Sequence, residues 1–195
     1  ARFNGEEVEF PTVRSAVEAL TGKAVAVDLQ SSLSLASGFG LSGASALAAA
    51  HAVNQLLDLG LTDRNLAMAA HVAEVENLTG LGDVCAQFHG GCLAKLQEGD
   101  PLKASVLPVK EQPISFRFYG PIKTSEIIGD PRRHDQINRA ADAALGELAL
   151  LLQQQEENLN AYIELSKRFA NESGLLVDAR VRTTIEEIEA DGGSA

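Results

Sequence analysis

Gly38-Phe39-Gly40-Leu41-Ser42-Gly43-Ala44-Ser45-Ala46 decides how the rest of this 195-residue chain is read. Its glycines let backbone N–H groups approach an anion, and the helix that follows offers about half a positive charge at its N-terminus. Two familiar phosphate motifs fail on context. A dinucleotide fingerprint, Gly-x-Gly-x-x-Gly, needs a strand running into Gly38 and, past the helix, a second strand ending in an acid. Here seven residues separate Gln30 from Gly38, and another helix starts after Gly60. As a P-loop, the stretch has Ala44 where a lysine would reach the phosphates. The bland alternative, a flexible Gly/Ser loop capping a helix, stays open on these residues alone.

Working outward, Ser31 to Gly43 reads as a loop entering an alanine-rich helix that Gly60 stops. Upstream, residues 7 to 10 read as the end of a strand, Pro11 opens a helix from Thr12 to Leu20, and Ala24 to Gln30 alternates as a strand does. Downstream, Thr62 caps a helix over Asp63 to Asn77, and Thr79 to Asp83 is a glycine-flanked loop. Strands are expected at Val84 to Phe88, Cys92 to Gln97, Ser105 to Lys110 and Ile114 to Tyr119, the first two turned at His89-Gly90-Gly91. From Thr124 the chain reads as helices over Arg133 to Gln154, Glu156 to Phe169 and Asp178 to Ala190. The first of these puts Ile137, Ala141, Ala144, Leu145, Leu148 and Leu152 on one face. The change from mixed α and β to mostly helix sets a domain boundary near residues 110 to 122.

Composition narrows the function classes. With 45% hydrophobic and 22% charged residues the chain can bury a core. Against 27 acidic residues stand 16 Lys plus Arg, a net charge of -11 that argues against nucleic acid and anionic membrane partners. No Trp and 5% aromatics argue against stacking platforms. Two cysteines, Cys85 and Cys92, and no secretory h-region point to a reducing cytoplasm. The start at Ala1 without Met and the turn-like end at Asp191 to Ala195 suggest a piece of a longer protein.

Four motifs in order carry a resemblance. The Gly38 loop is followed by His71-Val72-Ala73-Glu74-Val75, by Thr79-Gly80-Leu81-Gly82-Asp83-Val84 with Gly90-Gly91 seven residues past the aspartate, and by Gly120-Pro121-Ile122-Lys123-Thr124. Gly38, Gly40 and Leu41 align with the central Pro-x-x-x-Gly-Leu-Gly-Ser-Ser-Ala motif of the GHMP small-molecule kinases, and the wording of all four resembles the archaeal pantoate kinase branch. The likeness runs from Pro11 to the end. This chain departs from the pattern in Ser42-Gly43-Ala44-Ser45 and in lacking the proline.

The resemblance implies an α+β, two-lobed GHMP kinase fold truncated at both ends. Residues 1–115 would form a ribosomal S5 domain 2-like ATP-binding lobe, and residues 116–195 would begin a helix-rich, ferredoxin-like C-terminal lobe. It implies ATP and Mg²⁺ as cofactors and a cytoplasmic phosphotransferase acting on an alcohol, pantoate first, giving 4-phosphopantoate for archaeal coenzyme A synthesis. A homodimer is left open. Phosphate would be held at Gly38, Gly40, Leu41, Ser42, Gly43, Ala44 and Ser45 through amides at the helix start. Ser42 or Ser45 would bind the metal with Glu74, Glu76 being the rival carboxylate. Asp83 would take the proton of the substrate hydroxyl. A substrate carboxylate needs a cation, and Arg132, Arg133, Lys123, Arg139 and, more weakly, Arg14 are available.

Each choice has a plainer reading. Glu74 on a helix is more often solvated, and Asp83 after a glycine is a common turn residue. His71 lies three residues before Glu74 but lacks a third metal ligand, so packing explains it. Cys85 and Cys92 read as buried thiols, Ala46 to Val53 as core, and Glu186 to Asp191 as a solvated helix end. Two rival functions share these features: a GHMP kinase for homoserine, a mevalonate-type alcohol or a sugar, and a catalytically silent regulatory domain.

Overall fold

The computed structural model describes residues 1–121, 127, 129–154 and 158–195. Among them the chain is mixed α and β, with helices predominating, and it divides into two compact units. One is built chiefly from Ala1–Gly90 and Glu98–Lys103, the other from Gly91–Gln97, Ala104–Tyr119 and Ile127–Ala195.

The first unit opens with a hairpin. β1 (Arg2–Phe3) pairs antiparallel with β2 (Glu6–Glu7), in register Arg2 to Glu7 and Phe3 to Glu6. Asn4 and Gly5 turn it with φ of 53° and 85°, the left-handed pair that a two-residue hairpin needs. The expected strand over residues 7 to 10 is thus displaced toward the start. β3 (Asp28–Leu29) lies parallel to β1 on its other side, and the sheet order is β2-β1-β3. Ala24 to Val27 was expected in the same strand; only Val27 joins the ladder, accepting at its carbonyl from Arg2 N–H at 2.9 Å.

Three helices carry this unit. α1 (Pro11–Glu18) starts on Pro11, whose fixed φ and missing N–H suit a first helical position. α2 (Leu41–Leu57) buries Ala46, Ala49, Ala50 and Val53, as expected of a core helix. α3 (Asp63–Glu76) is capped by Thr62, whose hydroxyl accepts from Asn65 N–H at 3.2 Å while the Asn65 side chain answers the Thr62 amide. Alanines at 46, 49, 50, 67, 70 and 73 are all buried, so the three helices pack closely on one another. Phe3 and Phe10, edge to face at 6.5 Å, join Val13, Val17, Ala49 and Val53 in the core.

The stretch expected as a strand at Val84 to Phe88 is helical instead: α4 spans Asp83–His89. β-branched and aromatic residues suggest a strand, but the burial of the adjacent pair Val84 and Cys85 and half-burial of Phe88 follow a helical face. Asp83 suits a helix N-terminus and Gly90, at φ 70°, ends the helix. Cys85 is therefore a buried thiol on a helix, 4% exposed; Cys92 is half-buried, and both are free.

In the second unit β4 (Leu93–Ala94) pairs antiparallel with β5 (Ser105–Val106), much shorter than the expected strands. Ile114 to Tyr119 forms no strand, a segment without a ladder partner having nothing to hold it extended. α5 (Pro131–Gln154), α6 (Leu159–Glu172) and α7 (Ala179–Ala190) follow. Leu148, Leu151 and Leu152 of α5 pack against a cluster of Ala94, Leu107 and Tyr162, whereas Leu145, expected on the inner face, stands 36% exposed. Asp178 caps α7 through Arg180 N–H at 2.9 Å. The Gly120–Thr124 motif and the helix starts at Thr124 and Glu156 fall partly or wholly outside the described residues. Glu186 and Glu187 are exposed as expected, while Glu189 pairs with Lys167.

Candidate functional site

The start of α2 is shaped by Gly40, which sits at its N-cap with φ 62° and leaves the helix end without a side-chain cap. Amides of the first turn, at Leu41, Ser42 and Gly43, have no acceptor inside a helix. The Ala44 N–H, expected among the phosphate donors, instead closes the first helical turn on the Gly40 carbonyl at 3.0 Å. Gly38 has φ 83° in the approach loop, and Ser45 is buried in α2.

Glu74 reaches this end from the last turn of α3. It is fully buried, and Ser42 Oγ donates to its Oε1 at 2.7 Å. Its rival, Glu76, is exposed. Asp83, the first residue of α4, arrives at the same place. A Cβ on Gly40 would stand 3.0 Å from Asp83 Cβ and Cγ; one on Gly43 would stand 2.8 Å from Glu74 Oε2; and one on Gly80 would meet Asp83 Oδ2 at 2.8 Å and Glu74 Oε1 at 2.9 Å. Three glycines therefore make room for two carboxylates at one helix N-terminus.

The loop between the acids is anchored from below. Thr79 N–H donates to the Glu74 carbonyl at 3.0 Å, ending α3 with Leu78 in the left-handed region at φ 53°. The fully buried Thr12 of α1 shares a hydroxyl hydrogen bond with Thr79 at 3.1 Å, and Asn77 Nδ2 donates to Ser15 Oγ at 3.0 Å. Gln87, one turn after Asp83, donates from Nε2 to the Gly40 carbonyl at 2.9 Å. Sequence reading missed Gln87, because its spacing from Asp83 carries meaning only once residues 83–89 are helical.

Burial raises the pKa of both acids above their ordinary values. For Glu74 the Ser42 hydroxyl opposes that rise and the Asp83 charge adds to it. The Val84 amide and Thr79 hydroxyl favour the charged form more weakly, yet neither forms a well-aligned hydrogen bond to Oε2, which is buried with no partner among the described residues. An orphaned carboxylate oxygen beside a hydroxyl is a donor set of hard oxygens, which suits Mg²⁺. Among the described residues no group of three or more His, Cys, Asp or Glu is gathered for a metal, and His71 is half-buried on α3. One or two protein carboxylates are usual for Mg²⁺ held against phosphates.

Arg14 is exposed and pairs with Glu9 at 3.6 Å. Arg132, Arg133 and Arg139 belong to the second unit, all exposed, with Arg132 forked onto Asp130 at 2.9 Å from both Nε and Nη2. Lys123 lies outside the described residues. A cavity of about 1000 Å³ along α1 and residues 23 to 28 contains neither acid. No described helix is long and apolar enough to cross a membrane.

Comparison with known proteins places these residues in a family. Residues 11–91 match the GHMP kinases N terminal domain. A pantoate kinase of Methanocaldococcus jannaschii is 32% identical over 162 residues, 83% of this chain and 57% of that protein. Another, of Methanospirillum hungatei, is 31% identical over 153 residues, 78% of this chain and 49% of that protein. The chain thus spans about half the length of the curated relatives it matches. No solved structure matches it. The matched region runs from the first residue of α1 through Gly91 and encloses the α2 start, Glu74 and Asp83: residues 11–91 of this chain belong to the GHMP kinase N-terminal domain family.

Proposed function

We propose that this chain carries the phosphoryl-transfer site of an ATP-dependent kinase whose acceptor is pantoate and whose product is 4-phosphopantoate. The convergence of Glu74 and Asp83 on the amide-bearing start of α2 is the observation that supports it. The reading assigns residues 1–115 to the ATP-binding lobe and residues 116–195 to the start of a second lobe, in a cytoplasmic enzyme of coenzyme A synthesis.

Amides of Leu41, Ser42 and Gly43 hold the β- and γ-phosphates and the charge that develops on them. Ser42 Oγ and Glu74 would hold Mg²⁺, which when bound would neutralise phosphate charge. Asp83 accepts the proton of the acceptor hydroxyl as its oxygen bonds to the γ-phosphorus; the bond from that phosphorus to the β-bridging oxygen breaks, and ADP leaves. A carboxyl whose pKa burial has raised is a stronger base than a solvated one. The remaining work is positioning, which phosphoryl transfer rewards because the reacting group is already electrophilic.

The test is ADP release by the intact protein with Mg·ATP and a panel of pantoate, homoserine, mevalonate and sugars. Pantoate-dependent turnover is expected, and Asp83→Asn should lower kcat by about 100-fold or more with ATP affinity nearly unchanged. Turnover with another alcohol and none with pantoate would remove the substrate assignment. Failure to bind Mg·ATP in calorimetry would favour a silent domain.

A further inference from the structure

From the hydrogen bond that joins α4 to the α2 start we infer that Gln87 is a positioning residue for phosphoryl transfer, clamping the Gly40 carbonyl and so fixing the first-turn amides against Asp83. This rests on the kinase reading above. The Gly40 carbonyl accepts twice, from Ala44 N–H at 3.0 Å and from Gln87 Nε2 at 2.9 Å. The first bond belongs to α2, and the second comes from the helix that bears Asp83. Asp83 and Gln87, four residues apart on α4, lie on the same face of that helix. Both touch the place a Gly40 side chain would fill, with Gln87 Nε2 3.1 Å from it. Turning the Gly40 peptide would re-aim the amides that follow it, so whatever holds this carbonyl sets their direction.

The other end of the same side chain separates this role from a structural one. Gln87 Oε1 is buried with no hydrogen-bond partner among the described residues. The amide cannot be turned round to relieve it, since that would set oxygen against the Gly40 oxygen. A half-satisfied buried amide adds little to stability, because the orphaned acceptor offsets the bond its partner atom makes. An apolar side chain of the same length should therefore fold as well as glutamine and transfer phosphate less well.

The experiment compares Gln87→Met, which removes donor and acceptor, with Gln87→Glu, which keeps the shape and, when ionised, loses the donor. Steady-state kinetics with Mg·ATP, calorimetric ATP affinity and thermal unfolding are read on each. Expected are a kcat at least about tenfold lower in both variants, a Kd for ATP within about threefold, and a Gln87→Met Tm equal to or above that of the unaltered protein. Undiminished kcat in either variant overturns the clamp while leaving the kinase reading intact. A fall in Tm that accounts for the lost activity of both variants makes Gln87 structural and also overturns it. Absence of phosphoryl transfer by the unaltered protein with every alcohol of the panel overturns the kinase reading, and the clamp with it.

Discussion

Gly43 and Gly80 are the positions at which a single methyl group would do the most damage. In Gly43→Ala the new Cβ would meet Glu74 Oε2 at 2.8 Å, Glu74 Cδ at 3.0 Å and Val84 Cγ2 at 3.1 Å. Alanine ordinarily favours a helix over glycine by about 1 kcal/mol; here overpacking of about 1–3 kcal/mol should outweigh that gain. A lower denaturation midpoint together with loss of Mg-dependent ATP binding is expected, and an unchanged midpoint would show that the carboxylate can yield. Glu74→Gln should act in the opposite sense on stability. It keeps the acceptor for Ser42 and removes a buried charge, so Tm at pH 7 should rise while Mg-dependent ATP affinity falls. The pH dependence has a definite sign. Because the folded pKa of Glu74 lies above the ordinary 4.5, its stabilising protonated form is fully present below 4.5 and lost as pH rises through the raised value. Asp83 contributes in the same direction. Metal-free protein should therefore gain Tm on mild acidification, and Glu74→Gln should flatten that gain. The exposed pairs of Asp130 with Arg132 and Asp178 with Arg180, whose carboxyls sit at about 2, act only when the pH falls below their ordinary 3.8.

α1 is joined to the loop between the acids by the Thr12–Thr79 hydroxyl pair and by the Asn77–Ser15 hydrogen bond. Thr12→Val keeps the shape of the side chain and removes its bond to Thr79, at a loss of about 1 kcal/mol in denaturant unfolding. Loosening of the Thr79–Gly82 loop should appear besides as faster amide exchange at Gly80 and Leu81; unaltered exchange there would mean that the Asn77–Ser15 bond suffices. How far such elements can be read beforehand follows from the range of the forces that form them. α1, α2 and α3 are legible because Pro11, the Gly38 loop, Thr62 and the buried alanine periodicity are local signals. The hairpin at Asn4-Gly5 was equally local, and was overlooked for want of long flanking strands. α4 was misread because Val84, Cys85 and Phe88 favour a strand in isolation, and what overrides that preference is contact with α2 and α3. The two acids were legible only through the order and spacing of their motifs. That Gly43 and Gly80 yield space to carboxylates, and that Ala44 has its amide engaged, depends on side chains brought together from distant segments.

Over the whole chain the net charge of -11 acts against compaction. Salt should relieve part of it. Raising NaCl from about 0.01 to 0.15 M shortens the screening length from roughly 30 to 8 Å, and Tm of the metal-free protein should rise across that range. A falling Tm would mean that exposed ion pairs such as Arg64–Asp100, at 2.6 Å, outweigh the repulsion. The charge also bears on partners, since in the kinase reading proposed above the acidic excess would leave phosphate binding to helix geometry rather than to a basic surface. Last, the thiol of Cys85 is shut inside the same short helix, two residues beyond the acid proposed as base, and only 4% of that residue is exposed. A disulfide reagent can attack it only when this segment swings out, whereas Cys92 answers sooner. The lag between the two modifications would time how often Asp83, the acid proposed as base, leaves its seat.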